Sequence, residues 1–386
     1  MYDSYSLGEI SDIQTGPFGS QLHNEDYVEN GTPIVTVEHL GNRKFTKQNL
    51  PTVSDEDRER LAKYTMKPGD TIFSRVGSVD RSSFVFDNEG GWLFSGRCLR
   101  VRPNNSVVDP LYLFYYLNLE STKESIRNIA VGATMPSINT SLLSEIDIEL
   151  PDIEHQQKIS SVLGAIDDII ELNQRINDNL LAVLYSEFEK IKTEYPADSE
   201  LSHICTLNNQ RGSAAELTLD NYYSTENMLA NKGGVMPASS MPSDNRAIIC
   251  EVGDVLISNI RPYFKKIHYC SEKSGCSADV LDFRSYNKQY APYLYSILYS
   301  DEFFEYVVAG SKGTKMPRGD KDQIMQYPIP LPPKDDLDSY CELGQNILSQ
   351  VTSNNNESTK LISLRDYLLP KLMSGEIDVS TLELPN

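Results

Sequence analysis

Gly69-Asp70-Thr71-Ile72-Phe73-Ser74 returns 184 residues later as Gly253-Asp254-Val255-Leu256-Ile257-Ser258, and other stretches return behind it in the same order. Pro110-Leu111-Tyr112-Leu113 is matched by Pro292-Tyr293-Leu294-Tyr295. Gly132-Ala133-Thr134-Met135-Pro136 is matched by Gly313-Thr314-Lys315-Met316-Pro317, and Ile148-Glu149-Leu150-Pro151 by Ile329-Pro330-Leu331-Pro332. The offset drifts only from 184 to 181 residues. Any one of these matches would mean little, but a collinear series means duplication. A duplicated chain of 386 residues has to fold as two copies of one plan, each large enough for its own core.

Within each copy, short β-type runs bounded by turn residues predict strands over 32–40, 70–76 and 98–103, and again over 254–260 and 279–285. The aromatic runs 111–119 and 293–299 predict buried helices, so each copy is α+β. Beyond Pro151 the periodicity changes. Ile159, Val162, Ile166, Ile169, Asn173, Ile176, Leu180 and Val183 alternate spacings of three and four, the seam of a coiled coil. The second copy places Tyr340, Leu343, Ile347, Gln350, Asn354, Glu357, Leu361 and Leu364 in the same phase, with a polar middle. A second apolar row, Leu163, Ile170 and Leu184, predicts that the first helix touches something besides one partner helix. Asn173 and Asn354 share a seam position. A buried Asn there would fix register; alternatively, Asn354 is solvated within the run Asn354-Asn355-Asn356. Asp152, Glu154, Asp335 and Asp336 set acids beside the free amides of the two helix starts. The expected boundaries are 1–151 for the first domain, 152–192 for its helix, 193–332 for the second domain, 333–376 for its helix, and 377–386 for a tail. The first helix would be on the order of 55 Å long at ~1.5 Å per residue, a spacer.

Composition narrows the class. Hydrophobic residues make up 39% of the chain, with 22 Tyr and 12 Phe, enough for packed cores. No run is apolar and long enough for a membrane span, and no basic-then-apolar leader opens the chain, so a cytoplasmic protein with no membrane partner is expected. Six scattered Cys without a CxxC pair suit reduced thiols, and the one cluster, His268 with Cys270 and Cys276, reads as structural rather than as a metal site. The net charge of −20 counts against nucleic acid, and each of the five segments carries more acids than bases.

Catalytic signatures are missing. There is no GxxxxGK[ST] or GxGxxG, no [DNS]PP[YFW] loop, no metal-ligand spacing among the five His and no GxSxG. What remains is polar loop chemistry, as expected of a non-enzyme. Lys44 and Lys47 stand in one basic stretch, and Arg75, Ser78 and Arg81 at a strand end. Arg261, Lys265 and Lys266 interleave with Tyr263 and Phe264. Lys312, Thr314, Lys315 and Arg318 occupy the second copy of the Met-Pro loop, whose first copy offers Thr134, Ser137 and Asn139. Each patch alone reads as solvated surface. Recurring at related positions of two copies, they favour phosphate and base-edge contacts on double-stranded DNA. The alternative is a protein-interaction scaffold, duplicated modules on a coiled coil that bind no DNA.

Three stretches together resemble one family. Leu7–Gln21, LGEISDIQTGPFGSQ, resembles the start of a target recognition domain of type I restriction–modification specificity subunits. Glu149–Ile176 resembles their central conserved-region helix, and Arg365–Ile377, RDYLLPKLMSGEI, the end of their distal helix. The entry to the second helix, PLPPKDDLDSY, departs from the first. The resemblance implies two tandem target recognition domains, each followed by a long helix, with the helices paired as an antiparallel coiled coil. It also implies that each domain reads one half of a bipartite DNA target. Methyltransferase subunits would dock on the chain and restriction–motor subunits would join them. S-adenosylmethionine, ATP and Mg would then sit on those partners, with no cofactor and no catalytic residue in this chain.

Overall fold

The structure, a computed structural model, describes residues 2–17, 21–41, 43–132 and 134–382, with Asn24 described by its backbone alone. Residues 18–20 of the opening motif, Asn42 of the basic stretch, Ala133 of the first Met-Pro loop and 383–386 of the tail lie outside the described residues. The chain divides into two compact units. Unit 1 is residues 1–170 with 360–386, and unit 2 is residues 171–359. The division falls inside both long helices, Ile153–Glu194 and Lys334–Met373, rather than at their ends. Each unit therefore combines one strand domain with part of each helix.

In unit 1 an antiparallel sheet runs in the order Ser11–Thr15, Cys98–Pro103, Thr71–Ser74, Ser82–Phe84. Unit 2 repeats it with Cys205–Asn208, Val280–Ser285, Val255–Ser258 and Ile267–Tyr269. A two-stranded antiparallel pair ties the beginning of each domain to its end: Asp3–Ser6 with Asp147–Leu150, and Ser199–Glu200 with Pro328–Ile329. A second four-stranded sheet in each unit includes one parallel pairing. The expected strand over 32–40 is shorter, ending at Val35 before a 3₁₀ turn over Val37–His39. The aromatic helices are Pro110–Leu117 and Ala291–Tyr299, and Tyr112 and Tyr293 are fully buried. Side chains of that size contribute on the order of 1.5–3 kcal/mol each by leaving water.

The repeated Gly-Asp has a structural reason. Gly69 and Gly253 have φ of +90° and +93°, a conformation that favours glycine. A Cβ would also press on Pro110 in one unit and Ala291 in the other, 3.2 and 3.1 Å away. The next residue turns inward. Asp70 is buried and accepts Arg102 Nε and Nη2, both at 2.7 Å. Asp254 is buried and accepts Arg284 Nε at 3.0 Å and Nη2 at 2.6 Å. Each aspartate also caps the turn before it, taking the amides of Lys67 and Glu251 at 2.7 Å. The motif is thus a tight turn that delivers a carboxylate to an arginine on the adjacent strand.

The buried rows of the long helices differ from the expected seam by one residue in every second position. Ile159, Ile166, Asn173 and Leu180 face inward, but their companion row is Leu163, Ile170, Asn177 and Leu184. Ile169, Ile176 and Val183 are 42, 37 and 49% exposed. The second helix shows the same shift. Tyr340, Ile347, Asn354 and Leu361 keep company with Gly344, Val351, Ser358 and Arg365, while Leu343 and Leu364 are exposed. Positions i+3 and i+4 flank the same helix face, and the more apolar of the two rows is the one left outside.

Within unit 2 the helix segments run antiparallel. Tyr340 reaches the Leu184 carbonyl, Asn354 Nδ2 donates to Asn177 Oδ1 at 2.7 Å, and Asn173 Nδ2 donates to Glu357 at 2.9 Å and to Ser358 Oγ at 3.4 Å. Asn173 and Asn354 therefore do not pair with each other; each bonds to the neighbour of the other. The repeat offset of 181 exchanges 173 with 354 and 177 with 358, so the two bonds are one contact made twice. Asn354→Leu leaves the Asn177 oxygen buried without its donor, and should cost about 1–3 kcal/mol. N177L/N354L should recover most of that loss in a denaturant double-mutant cycle. Additive losses in the cycle would mean that the amide pair contributes nothing of its own.

In unit 1 the first helix start is locked by Gln156, which is buried. It accepts the Asp109 amide at 2.9 Å and donates to the Pro151 carbonyl at 2.8 Å. Its counterpart 181 residues on is the buried Leu337, which accounts for the different wording of the second helix entry.

Candidate nucleic-acid interface

Each unit clasps two loops together that are distant in sequence. In unit 1 the turn after strand Thr71–Ser74 meets segment 131–138. Gly77 N donates to Pro136 O at 2.8 Å, Ile138 N donates to Arg75 O at 3.0 Å, and Ser137 bridges both Val76 and Val131. In unit 2 the turn after Val255–Ser258 meets 312–318. Arg261 N donates to Pro317 O at 2.8 Å, and Arg318 bridges both Ile260 and Lys312. Gly77 matches Arg261 and Pro136 matches Pro317 in the repeat. The Gly-Asp strand and the Met-Pro loop are the two jaws of one clasp, built twice.

The backbone at the matched position is left-handed in both units, φ +75° at Gly77 and 52° at Arg261. Glycine takes that conformation freely; arginine is held there at a cost on the order of 1–3 kcal/mol. The Arg261 Nε is buried and has no hydrogen-bond partner among the described residues. Lys265, four residues on, is also left-handed, with φ 49°.

The clasps gather most of the residues expected to meet DNA. Arg75, Ser78, Thr134 and Ser137 lie on the first; Arg261, Lys312, Thr314, Lys315 and Arg318 lie on the second. Thr134, Thr314 and Lys315 are exposed. Other candidates are engaged within the chain. Asn139 Oδ1 accepts the Leu142 amide at 2.9 Å and caps the next helix. Arg81 Nη2 donates to the Leu40 carbonyl, and Lys44 and Lys47 stand over the rings of Phe86 and Trp92 at 5.1 and 5.9 Å. Lys265 pairs with Asp301 at 2.9 Å. Lys266 donates to the Thr225 carbonyl, and burial pulls its ammonium below the ordinary lysine value. On the second clasp Lys312 pairs with Asp320, and Arg318 with Asp279 at 2.9 Å. The acids near these cations hold them in place and cancel much of their field, consistent with the acidic total.

Two residues at the clasp tips were legible only as repeat markers. Met135 and Met316, at matched positions, are 68 and 50% exposed. An exposed methionine in each Met-Pro loop adds a soft apolar contact beside the polar groups. Among the described residues no group of three or more His, Cys, Asp or Glu could hold a metal ion, and no helix is long and apolar enough to cross a membrane. All six cysteines are buried free thiols.

Two units of one topology, each with a polar clasp and a share of two long helices, define a duplicated two-domain protein. Residues 2–182 match the type I restriction modification DNA specificity domain, and the chain resembles type I restriction enzyme specificity subunits over nearly its whole length. It is 23% identical to the putative type I restriction enzyme MjaX specificity subunit of Methanocaldococcus jannaschii, covering 98% of this chain and 95% of that one. The type I restriction enzyme HindI specificity subunit of Haemophilus influenzae is 29% identical over 49% of this chain and 40% of its own. The fold is that of the type I restriction–modification S subunit from M. genitalium, with a TM-score of 0.56 at 16% identity, covering 96% of both chains.

Proposed function

We propose that this chain is the DNA-recognition subunit of a type I restriction–modification complex, with each unit reading one half of a bipartite target through its clasp. The supporting observation is the double construction: the same pair of loops, closed by the same backbone bonds, presents hydroxyl and cationic side chains in both units. A single-site reader needs one such clasp; a split site needs two. The differing side chains, mostly hydroxyls beside one arginine on the first clasp and mostly cations on the second, suit two different half-sites. The long helices set the separation of the half-sites. The outward apolar row of the first helix, Leu172, Ile176 and Val183 in unit 2, suits docking of methyltransferase subunits, whose own surface would complete the phosphate neutralisation that an acidic chain lacks. Methyl transfer, ATP-driven motion and cleavage belong to those partners, with S-adenosylmethionine, ATP and Mg bound there, and the complex works in the cytoplasm.

Adenine-methylation mapping of the genome with and without this gene tests the reading. The expected result is loss of one bipartite motif on deletion, and loss of methylation at the second half's sequence requirement with Arg261→Ala. An unchanged methylome in a strain whose methyltransferase is active would leave the scaffold reading in its place.

A further inference from the structure

Unit 1 contains a buried polar cluster at a place where unit 2 is apolar. Arg365 Nη1 donates to Asp167 Oδ1 at 2.8 Å, and Tyr115 Oη donates to Asp167 Oδ2 at 2.6 Å; Asp167 and Tyr115 are buried. Both long helices are uninterrupted, so the repeat offset of 181 carries Asp167 to Leu348 and Arg365 to Leu184. Leu348 and Leu184 are both buried, in one apolar cluster of unit 2. Ser296, the residue 181 after Tyr115, turns its hydroxyl to Tyr340 instead. A duplicated chain has thus kept one geometry and divided its chemistry: acid on the first helix, base on the second, leucine at both matched positions.

That division matters because duplicated helices can pair in more than one way. If two first helices paired in the register seen here, each Asp167 would meet Leu184 of the other copy. If two second helices did so, each Arg365 would meet Leu348. Either homotypic pair breaks this ion pair: each buried Asp167 would keep only the Tyr115 hydroxyl, and each Arg365 only the exposed Asp366 on its own helix, whereas the amide contacts around Asn173 and Asn177 would survive the exchange. A buried carboxylate that loses its cation is among the most costly features a pairing can carry. We propose that the Tyr115–Asp167–Arg365 cluster is a pairing-selectivity element, which makes the first long helix accept the second and reject a second copy of itself. The proposal concerns assembly and does not depend on what the clasps bind.

The test uses the full chain with a protease site in the exposed stretch 196–198, cut once after folding so that the two halves are free to exchange. Native mass spectrometry then counts heterotypic and homotypic pairs after equilibration. Wild type should stay heterotypic, with either homotypic species at least ~10-fold rarer. D167L/R365L copies the leucines that unit 2 already packs at these positions, and should move toward the statistical mixture of pairs. D167N/R365L, which keeps an acceptor for Tyr115, should do the same and guards against a folding defect of the first variant. Homotypic pairs in cut wild type would overturn the proposal. So would variants that remain as heterotypic as wild type, since the tail contacts around Lys158 and Ser380 would then be deciding the pairing.

Discussion

Replacing Asp254 by alanine is expected to destabilise unit 2 by about 2–4 kcal/mol, read as a shift in its denaturant midpoint. The carboxylate is buried on strand-end backbone that Gly253 alone shapes, and it accepts two bonds from the Arg284 guanidinium and one from the Glu251 amide. Removing it takes the acceptor from those donors, which costs more than the pair itself contributes. Arg284 keeps about a quarter of its side chain exposed and can reach solvent, which places the expected loss below that of a fully enclosed pair. Asp70→Ala should do the same to unit 1 through Arg102. D254A/R284M removes the stranded cation and should recover part of the loss. A single variant within about 0.5 kcal/mol of wild type would mean that the repeated Gly-Asp serves the turn alone.

The Gly-Asp motif also shows what a sequence can and cannot display. Its recurrence is visible without a structure, because a turn needing glycine and a buried carboxylate tolerates few substitutions. The partners Arg102 and Arg284 lie on the adjacent strand about thirty residues away, and nothing local announces them. The same holds for the clasps. Met135-Pro136 and Met316-Pro317 were legible as repeats and their loops as polar, but their closure onto residues 75–77 and 259–261 is a long-range backbone event. Helix existence was legible from periodicity, whereas the choice between the row with Val162 and Ile169 and the row with Leu163 and Ile170 was not. Apolar content favoured the first. In helix two the buried row contains Gly344, where a Cβ would stand 2.6 Å from Pro292, so that row packs too closely for a larger side chain. Close approach is invisible to a hydrophobicity count. Candidate cations show a related blindness: Lys265, Lys312 and Arg318 read as free positive charge, and their acids Asp301, Asp320 and Asp279 come from 8 to 39 residues away.

Asp282→Asn should make the chain more stable than wild type above neutral pH, with the difference shrinking as pH falls and vanishing only at about pH 4. Asp282 is buried on strand Val280–Ser285, with Asn208 Nδ2 donating to Oδ2 at 2.7 Å and Oδ1 lacking a partner among the described residues. The matched residue of unit 1 in the paired strands is Arg100, opposite Ile72 as Asp282 is opposite Leu256. Unit 2 thus sets a second acid beside the Asp254–Arg284 pair where unit 1 sets a base. Burial, and then the nearby Asp254 charge, push the Asp282 carboxyl up to about 7. In the unfolded chain it titrates near ~4. Between those values the folded state holds a proton that the unfolded state has lost, so stability falls as pH rises from about 4 to about 7 and stays low above. Asparagine mimics the protonated form at every pH and removes that loss, a gain of roughly 2 kcal/mol or more at pH 8. His268, which burial pulls down to about 4, titrates in the opposite sense: its contribution is complete above pH ~6.5 and fades as pH falls. Both proteins carry it, so the difference between their denaturation curves at each pH isolates Asp282. Parallel curves from pH 5 to 8 would mean that Asp282 is ionised throughout and that Arg284 serves both aspartates.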